Sequence, residues 1–287
     1  MKIKQDLHIH SHHSCDSACA HLRDIKSDRE ALGFEHFAVT DHLHTKYNIS
    51  DIESCRHAFL GYDFPSNYHF GVELSLVALW EQEKIAAGDY VAKGDVPIYG
   101  FRDDTRPFDG RMGIGMDEDD IQKYGLEFTV GGVHWPLGYP ATRSGVIDNY
   151  FEQHMFLATH PLIDVVAHPW DSISLAAADW FLHRDRKADW TIYKEIPREM
   201  DEKLGEAMLK NGKLAEMNLP CTLKVPDYVT ALCMERFCMW REMGIKFTIG
   251  SDQHSAHPDT ELFERMEKVL DEYGFTESDF ALPFCVK

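Results

Sequence analysis

Close to the start of the chain, residues 6–11 read DLHIHS, with two histidines two positions apart. In an extended strand, residues i and i+2 point to the same side at a distance of about 7 Å, so the imidazoles of His8 and His10 can reach one ion. A single pair of this kind is more often two surface histidines than a metal site. The pair is informative here because the rest of the sequence repeats its pattern.

Each of six later segments is a short run rich in β-branched and aromatic residues, which is typical of a β-strand. These runs are 37–40, 68–72, 128–133, 163–167, 213–218 and 247–251. All but one of them lead directly into side chains that can bind a metal ion. Those side chains are Asp41 and His42, Glu73, His134, His168, and Asp252 and His254. Together with the strand that carries His8, the runs predict seven strands.

The segments between these runs are long enough for helices, and the clearest helical spacing of apolar residues lies in 227–243 and 260–273. Strands that alternate with helices predict a parallel sheet. In a closed parallel barrel, the carboxyl ends of all strands meet at one rim, where such enzymes place their chemistry. The pattern therefore predicts one site, built at that rim from the side chains that follow the strands.

These pieces resemble the polymerase and histidinol phosphatase (PHP) domain family. The matching pieces, in the family's order, are residues 6–11, 40–42, 71–73, 132–134, 167–169 and 250–254. One piece alone is a weak signal, whereas five or six in order are specific, and they span most of the chain. The resemblance implies a distorted (β/α)7 barrel of the TIM-like kind, with a cluster of up to three metal ions at the carboxyl rim of its strands.

The resemblance also implies which side chains bind the metals, in three groups. These groups are His8, His10, Glu73 and Asp252; then Glu73 again, as a bridge, with His134 and His168; and finally Asp16, His42 and His254. The residue types agree, because a carboxylate has two oxygens that can span two cations, while neutral imidazoles add no negative charge. Such nitrogen and oxygen ligands suit zinc, manganese and iron alike. The assignment of Asp16 as a ligand is left open, because His12 and His13 lie nearby in the sequence as alternatives.

Composition sets further bounds. A chain of 287 residues with 44% hydrophobic residues is sufficient for one α/β barrel. We expect a single domain over residues 1–287, with insertions at about 74–127 and 170–200. The net charge of −19 argues against binding along a nucleic-acid polymer, which calls for a basic patch. It does not exclude a small phosphorylated substrate, because divalent cations would place positive charge where the phosphate binds.

The cysteines and the absence of targeting signals indicate a cytoplasmic protein. The seven cysteines lack the paired C-x-x-C spacing of a structural zinc site. The first strand begins too early to leave room for a signal peptide. No run approaches the roughly 18 apolar residues that a membrane span needs.

Both insertions are expected to shape the substrate pocket. After a predicted helix over 76–87, the segment 88–115 is rich in Gly, Asp and Arg, as in a lid or rim loop. Three arginines are candidates for clamping phosphate oxygens through a bidentate guanidinium, although surface arginines are usually only solvated. They are Arg102 in the first insertion, Arg184 in the second and Arg143 after His134.

The expected reaction is hydrolysis of a small phosphomonoester, such as histidinol phosphate, a nucleotide or another metabolite phosphate. A hydroxide bridging two metal ions would attack phosphorus, and Asp252 or His254 would protonate the leaving group. Glu73 is the expected bridge between these ions. A phosphodiesterase or exonuclease, an amidohydrolase-type barrel and a non-catalytic relative that binds metal or a partner are the alternatives. The acidic charge and the long first insertion favour a closed pocket and a monoester.

Overall fold

The structure is a computed structural model that describes residues 1–16, 18–88, 109–138, 142–177 and 188–285. Its strands are β1 (Gln5–Asp6), β2 (His36–Val39), β3 (His42–Leu43), β4 (Tyr68–Ser75), β5 (Val77–Ala78), β6 (Met112–Gly113), β7 (Phe128–Gly132), β8 (Val165–Val166), β9 (Leu214–Asn218) and β10 (Phe247–Gly250). Its helices are α1 (Leu22–Leu32), α2 (Ile49–Leu60), α3 (Leu79–Ala87), α4 (Glu118–Tyr124), α5 (Arg143–Thr159), α6 (Ser172–Ala177), α7 (Arg198–Lys210), α8 (Leu219–Leu223), α9 (Asp227–Met243) and α10 (Thr260–Glu272). Short 3-10 turns occupy Lys46–Asn48, Trp190–Glu195, Glu277–Asp279 and Pro283–Cys285.

Seven parallel strands form a nearly closed barrel. The strand order is β1-β2-β4-β7-β8-β9-β10, and β3 pairs with β4 beyond the end of β2. The last strand returns to the first, because Leu7 N–H donates to the Ile249 carbonyl at 2.9 Å and Asp252 N–H donates to the His8 carbonyl at 2.8 Å. The predicted distorted (β/α)7 barrel is therefore confirmed.

A buried ionic network joins the segments that follow the first and last strands of the barrel. Arg29 in α1 donates to Asp6 at 2.8 Å and to Gln253 at 2.6 Å. The other Asp6 oxygen accepts the Ser251 N–H at 2.8 Å. Arg29 and Asp6 are both fully buried, so removing either partner would leave an uncompensated charge. The network holds the DLHIHS stretch against the segment that carries Asp252.

The main core lies between the barrel and its helices. It joins strand residues to apolar residues of α1, α2, α5, α7, α9 and α10. Helix α10 shows the sequence logic, since its buried residues Leu262, Phe263, Met266 and Leu270 repeat at helical spacing. A smaller cluster joins strand residues to Ala281, Leu282 and Phe284.

Two predicted helices are found where the periodicity places them, over Asp227–Met243 and Thr260–Glu272. The helix expected over 76–87 begins only at Leu79, because Val77 and Ala78 pair with β6 in an antiparallel ribbon. Most of the expected lid lies outside the described residues.

The single-domain organisation and the cytoplasmic location stay predictions. Within the described ranges, no helix combines the length and apolar content required to cross a bilayer.

His154 in α5 fixes the segment that follows β8. Its Nδ1–H donates to the Tyr150 carbonyl at 2.6 Å, and its Nε2 accepts the Trp170 N–H at 2.9 Å. Trp170 has a φ of 68°, a left-handed conformation that a bulky side chain rarely adopts. Burial lowers the pKa of His154 to about 3, so the ring stays neutral in the folded protein.

We expect the metal-free protein to lose stability through His154 as the pH falls from the ordinary value of 6.5 to about 3. In this window the unfolded chain binds a proton at residue 154 and the folded chain does not, which costs about 1.4 kcal/mol per pH unit. Urea titrations across this range should show a shallower pH slope for His154→Gln than for the wild type. Equal slopes would contradict the assignment.

Candidate metal centre

Glu73 lies at the middle of the rim, with imidazoles on both of its carboxylate oxygens. Its Oε1 is 2.9 Å from His134 Nε2 and 3.0 Å from His168 Nε2. Its Oε2 is 3.0 Å from His8 Nε2, 3.5 Å from His10 Nε2 and 2.8 Å from His42 Nδ1. Glu73 is fully buried. Five rings from four strand ends thus converge on one carboxylate.

Asp252 forms one side of this cluster. Its Oδ1 is 3.1 Å from His10 Nε2 and 3.7 Å from His8 Nε2. Its backbone has a φ of 50°, a left-handed conformation that costs about 1–3 kcal/mol for a residue other than glycine. His168 also has a positive φ, of 26°. The fold therefore holds two of the converging side chains on strained backbone.

Asp16 forms a second carboxylate face with His42 and His254. Its Oδ2 is 3.3 Å from His42 Nε2 and also contacts His254 Nε2. Within the described part of the chain, the buried Oδ1 has no hydrogen-bond partner. The two alternatives to Asp16, His12 and His13, make other contacts. His13 Nδ1 is 2.9 Å from Ser54 Oγ, and the centre of the His12 ring is 4.2 Å from that of His21.

Three groups of side chains bring their ligand atoms within 4.8 Å of one another, as a metal site requires. They are His10, Asp16, His42 and His254; His8, His10 and Asp252; and His42, Glu73 and His134. All nine predicted side chains thus lie in one region, with His168 joined through Glu73. The division of these ligands among separate ions stays a prediction.

The donor chemistry of this cluster fits divalent cations. His8 Nε2 and His10 Nε2 are only 3.1 Å apart, so both nitrogens cannot carry a hydrogen there without repulsion. A cation between nitrogen and carboxylate ligands removes that conflict. Gly132 leaves room for the Glu73 carboxylate, because a Cβ at this position would lie 2.4 Å from Glu73 Oε1.

Charge keeps the two central carboxyls ionised. Burial acts to raise the pKa of Glu73, but the charges of His42 and His8 hold that pKa well below its usual range. Burial likewise opposes ionisation of Asp252, whose pKa is nevertheless held low by His8 and His10. Both groups therefore offer anionic oxygens to a cation.

Asp41, which follows the second strand, does not face this cluster. It accepts the Ser11 N–H at 2.6 Å and the Ser11 hydroxyl at 2.7 Å. Burial raises the pKa of its carboxyl to about 6. Asp41 thus supports the loop after β1, and its neighbour His42 points toward Glu73.

Four further polar residues, which the strand-end pattern did not indicate, also line the centre. They are His44, Ser75, Glu216 and Asn218. Ser75 Oγ lies between His44 Nδ1, at 2.6 Å, and His134 Nδ1, at 2.9 Å. His44 and Ser75 stand two residues from His42 and Glu73, so the spacing of His8 and His10 would have found them, whereas Glu216 and Asn218 stand two residues only from each other.

We expect Ser75→Ala to weaken metal binding by about tenfold, the lower end of the usual loss for a partner of a metal ligand. The hydroxyl bonded to His134 Nδ1 fixes the ring with Nε2 toward Glu73. Competition between the protein and a chromogenic chelator would measure the change. Ser54→Ala, which removes a hydroxyl bonded to His13, is the matched control. An unchanged affinity in Ser75→Ala would contradict this role.

The structure places one of the three candidate phosphate-clamping arginines. Arg143 begins α5 and forms ion pairs with Asp189 at 2.5 Å and Glu195 at 3.1 Å. A phosphate would have to compete with those carboxylates for the guanidinium. Arg102 and Arg184 lie outside the described residues. Contact of any of the three with substrate stays a prediction.

The chain has the fold of known histidinol phosphatase structures. The histidinol phosphate phosphatase of Lactococcus lactis, solved with zinc, L-histidinol and phosphate, matches with a TM-score of 0.57 and 14% identity over 96% of this chain and 95% of its own. A Listeria monocytogenes protein assigned as a histidinol phosphatase matches with a TM-score of 0.53 and 14% identity over 88% of this chain and 96% of its own. No protein-family model matches the sequence, and no curated protein is similar to it. The fold implied by the resemblance to the PHP family is thus confirmed.

Proposed function

We propose that this protein is a metal-dependent phosphoesterase that hydrolyses a small phosphomonoester. The observation that carries the proposal is the convergence of five imidazoles on the buried Glu73, with Asp252 and Asp16 beside them. The likeness to a phosphatase solved with zinc and phosphate supports it. Two or three divalent ions, drawn from zinc, manganese and iron, are the proposed cofactors.

Glu73 is proposed as the bridge between ions, because imidazoles approach both of its oxygens. When bound, divalent ions would supply a nucleophilic water near neutral pH and neutralise charge on the phosphate. The nine converging side chains would hold these ions, and the ions would orient the phosphate at the rim. The remaining part of the substrate would then face the two insertions.

Exposure and hydrogen bonding favour one of the two candidates for the proton donor. Asp252 is held in its ionised form by His8 and His10 and has no proton to give. His254 has a side chain that is 41% exposed, so it can reach a leaving group on the solvent side. Burial acts to lower the pKa of His254, but the hydrogen bond to Asp16 raises it above the ordinary value. We therefore assign proton donation to His254 whenever it does not bind a third ion.

We expect the metal-loaded protein to hydrolyse at least one small phosphomonoester faster than any phosphodiester. The net charge of −19 repels a polymeric polyanion, whereas a small dianion needs only the cations at the rim. A screen that includes histidinol phosphate, nucleotides, sugar phosphates and bis-p-nitrophenyl phosphate would measure the ratio of the kcat/KM values. Faster hydrolysis of single-stranded DNA than of every monoester would instead establish the nuclease alternative.

A further inference from the structure

Glu216 is a buried carboxylate next to the candidate metal centre, and the role proposed for that centre leaves it unexplained. It lies in β9, with only 1% of its surface exposed. Its Oε1 is 2.7 Å from His8 Nδ1, and its Oε2 accepts the His168 N–H at 2.8 Å. The Asn218 side-chain amide donates to the same Oε2 at 3.3 Å and to Asp252 at 3.2 Å.

The backbone around Glu216 is shaped to admit this contact. Gly250 pairs with Asn218 in the β9–β10 ladder. A Cβ at Gly250 would lie 2.0 Å from Glu216 Oε1 and 2.5 Å from His8 Cβ. Since neither atom belongs to a flexible surface group, only glycine leaves room for the carboxylate to reach the imidazole.

The contact determines which nitrogen of His8 carries the hydrogen. Glu216 Oε2 already accepts hydrogen bonds from two N–H groups, so the carboxylate serves as an acceptor and His8 Nδ1 donates to its Oε1. In the neutral ring, the form that can bind a cation, the lone pair of His8 then lies on Nε2, the nitrogen that faces Glu73 at 3.0 Å and His10 at 3.1 Å. Glu216 also holds the backbone of His168 at its strained φ of 26°.

We propose that Glu216 is a positioning residue that presents His8 Nε2 and the His168 ring to the metal ions. This inference rests on the proposed metal-dependent function, but it concerns a residue outside the ligand set. Both Glu216 oxygens accept hydrogen bonds from the protein, so the carboxylate is engaged in orienting other groups. It therefore acts on the ions through His8 and His168.

The chain supplies a matched control for this role. Glu127 also accepts from an imidazole, with Oε2 2.7 Å from His69 Nδ1, and from a backbone amide, with Oε1 3.0 Å from Phe70 N. It stands just before β7, and His69 lies near the start of β4, so this pair is at the opposite end of the barrel from the rim. Glu127→Gln therefore makes the same chemical change away from the centre.

The test titrates cobalt(II) and zinc into metal-free wild type, Glu216→Gln and Glu127→Gln. Glutamine offers one acceptor oxygen where glutamate offers two, so the donor of either His8 or His168 then faces an amide NH₂. We expect 10- to 100-fold weaker binding, of the order seen when such partners of metal ligands are removed, and an altered cobalt(II) visible spectrum. Glu127→Gln should bind as the wild type does and give the same spectrum.

Affinity and spectrum in Glu216→Gln equal to those of the wild type would overturn the inference. A second measurement avoids any folding defect in the variant. In the zinc-loaded wild type, a ¹⁵N-edited histidine NMR spectrum, with His8 assigned by its loss in His8→Gln, should show a protonated Nδ1. A hydrogen on Nε2 would also overturn the inference. If the wild type binds metal and hydrolyses no phosphoester, the proposed function is wrong. The positioning role of Glu216 is then still tested by the metal-binding measurements on Glu216→Gln and by the NMR spectrum of His8.

Discussion

Glu73→Gln is expected to reduce kcat by about 100- to 1000-fold, the scale of loss when a charge-stabilising group is removed from an active site. The carboxylate approaches His134 and His168 through one oxygen and His8 and His42 through the other. An amide keeps the size but removes the negative charge from between the proposed cations. Single-turnover and steady-state assays on the best monoester would measure the loss.

Metal content separates the two ways in which Glu73→Gln can fail. We expect the variant to bind fewer ions per chain than the wild type while its far-ultraviolet circular dichroism is unchanged. Glu127→Gln, which alters a carboxylate bonded to His69, should retain both its metal and its turnover. Near-normal turnover with full metal content in Glu73→Gln would show that Glu73 is not the bridge.

The strand-end pattern in the sequence predicted most of what the fold displays. A period of two places His8 and His10 on one side of a strand, and parallel strands bring their carboxyl ends to one rim. The limits of the strands were less predictable. Glu73 lies inside β4 and not after it, because β3 extends the pairing and sets His42 opposite Glu73. Such pairing depends on a neighbouring strand and therefore cannot be predicted from the residues of β4 alone.

The same period explains why one strand-end carboxylate does not face the cluster, and long-range contacts explain one residue that the pattern did not indicate. Asp41 and His42 are adjacent in an extended segment, so their side chains point to opposite sides, and Asp41 turns to Ser11. Glu216 lies in the one predicted strand with no metal-binding side chain directly after it, and its role depends on long-range contacts with His8 and His168. Contacts between residues about two hundred positions apart cannot be inferred from local spacing.

Removal of the metals is expected to abolish hydrolysis and to lower the thermal stability of the protein. The cluster without cations leaves His8 Nε2 facing His10 Nε2 at 3.1 Å and leaves Asp16 with a buried oxygen that has no partner among the described residues. Ions that bind only the folded state stabilise it by about 4 kcal/mol at a thousandfold excess over Kd, or roughly 10 °C in Tm for a chain of this size. Calorimetry before and after chelation would measure the shift, and zinc or manganese should restore both stability and turnover.

The number of ions that return also decides the role of His254. If two ions bind per chain, the His254–Asp16 pair remains available to protonate the leaving group. His254→Gln should then lower kcat and remove the basic limb of the pH profile, while the metal content stays unchanged. If three ions bind per chain, His254 is a metal ligand together with Asp16 and His42, and His254→Gln should then lose one ion per chain. Fewer than one ion per chain in protein never exposed to a chelator, with full activity, would contradict the metal centre itself, since imidazoles packed around Glu73 and Asp252 offer no comparable chemistry without cations.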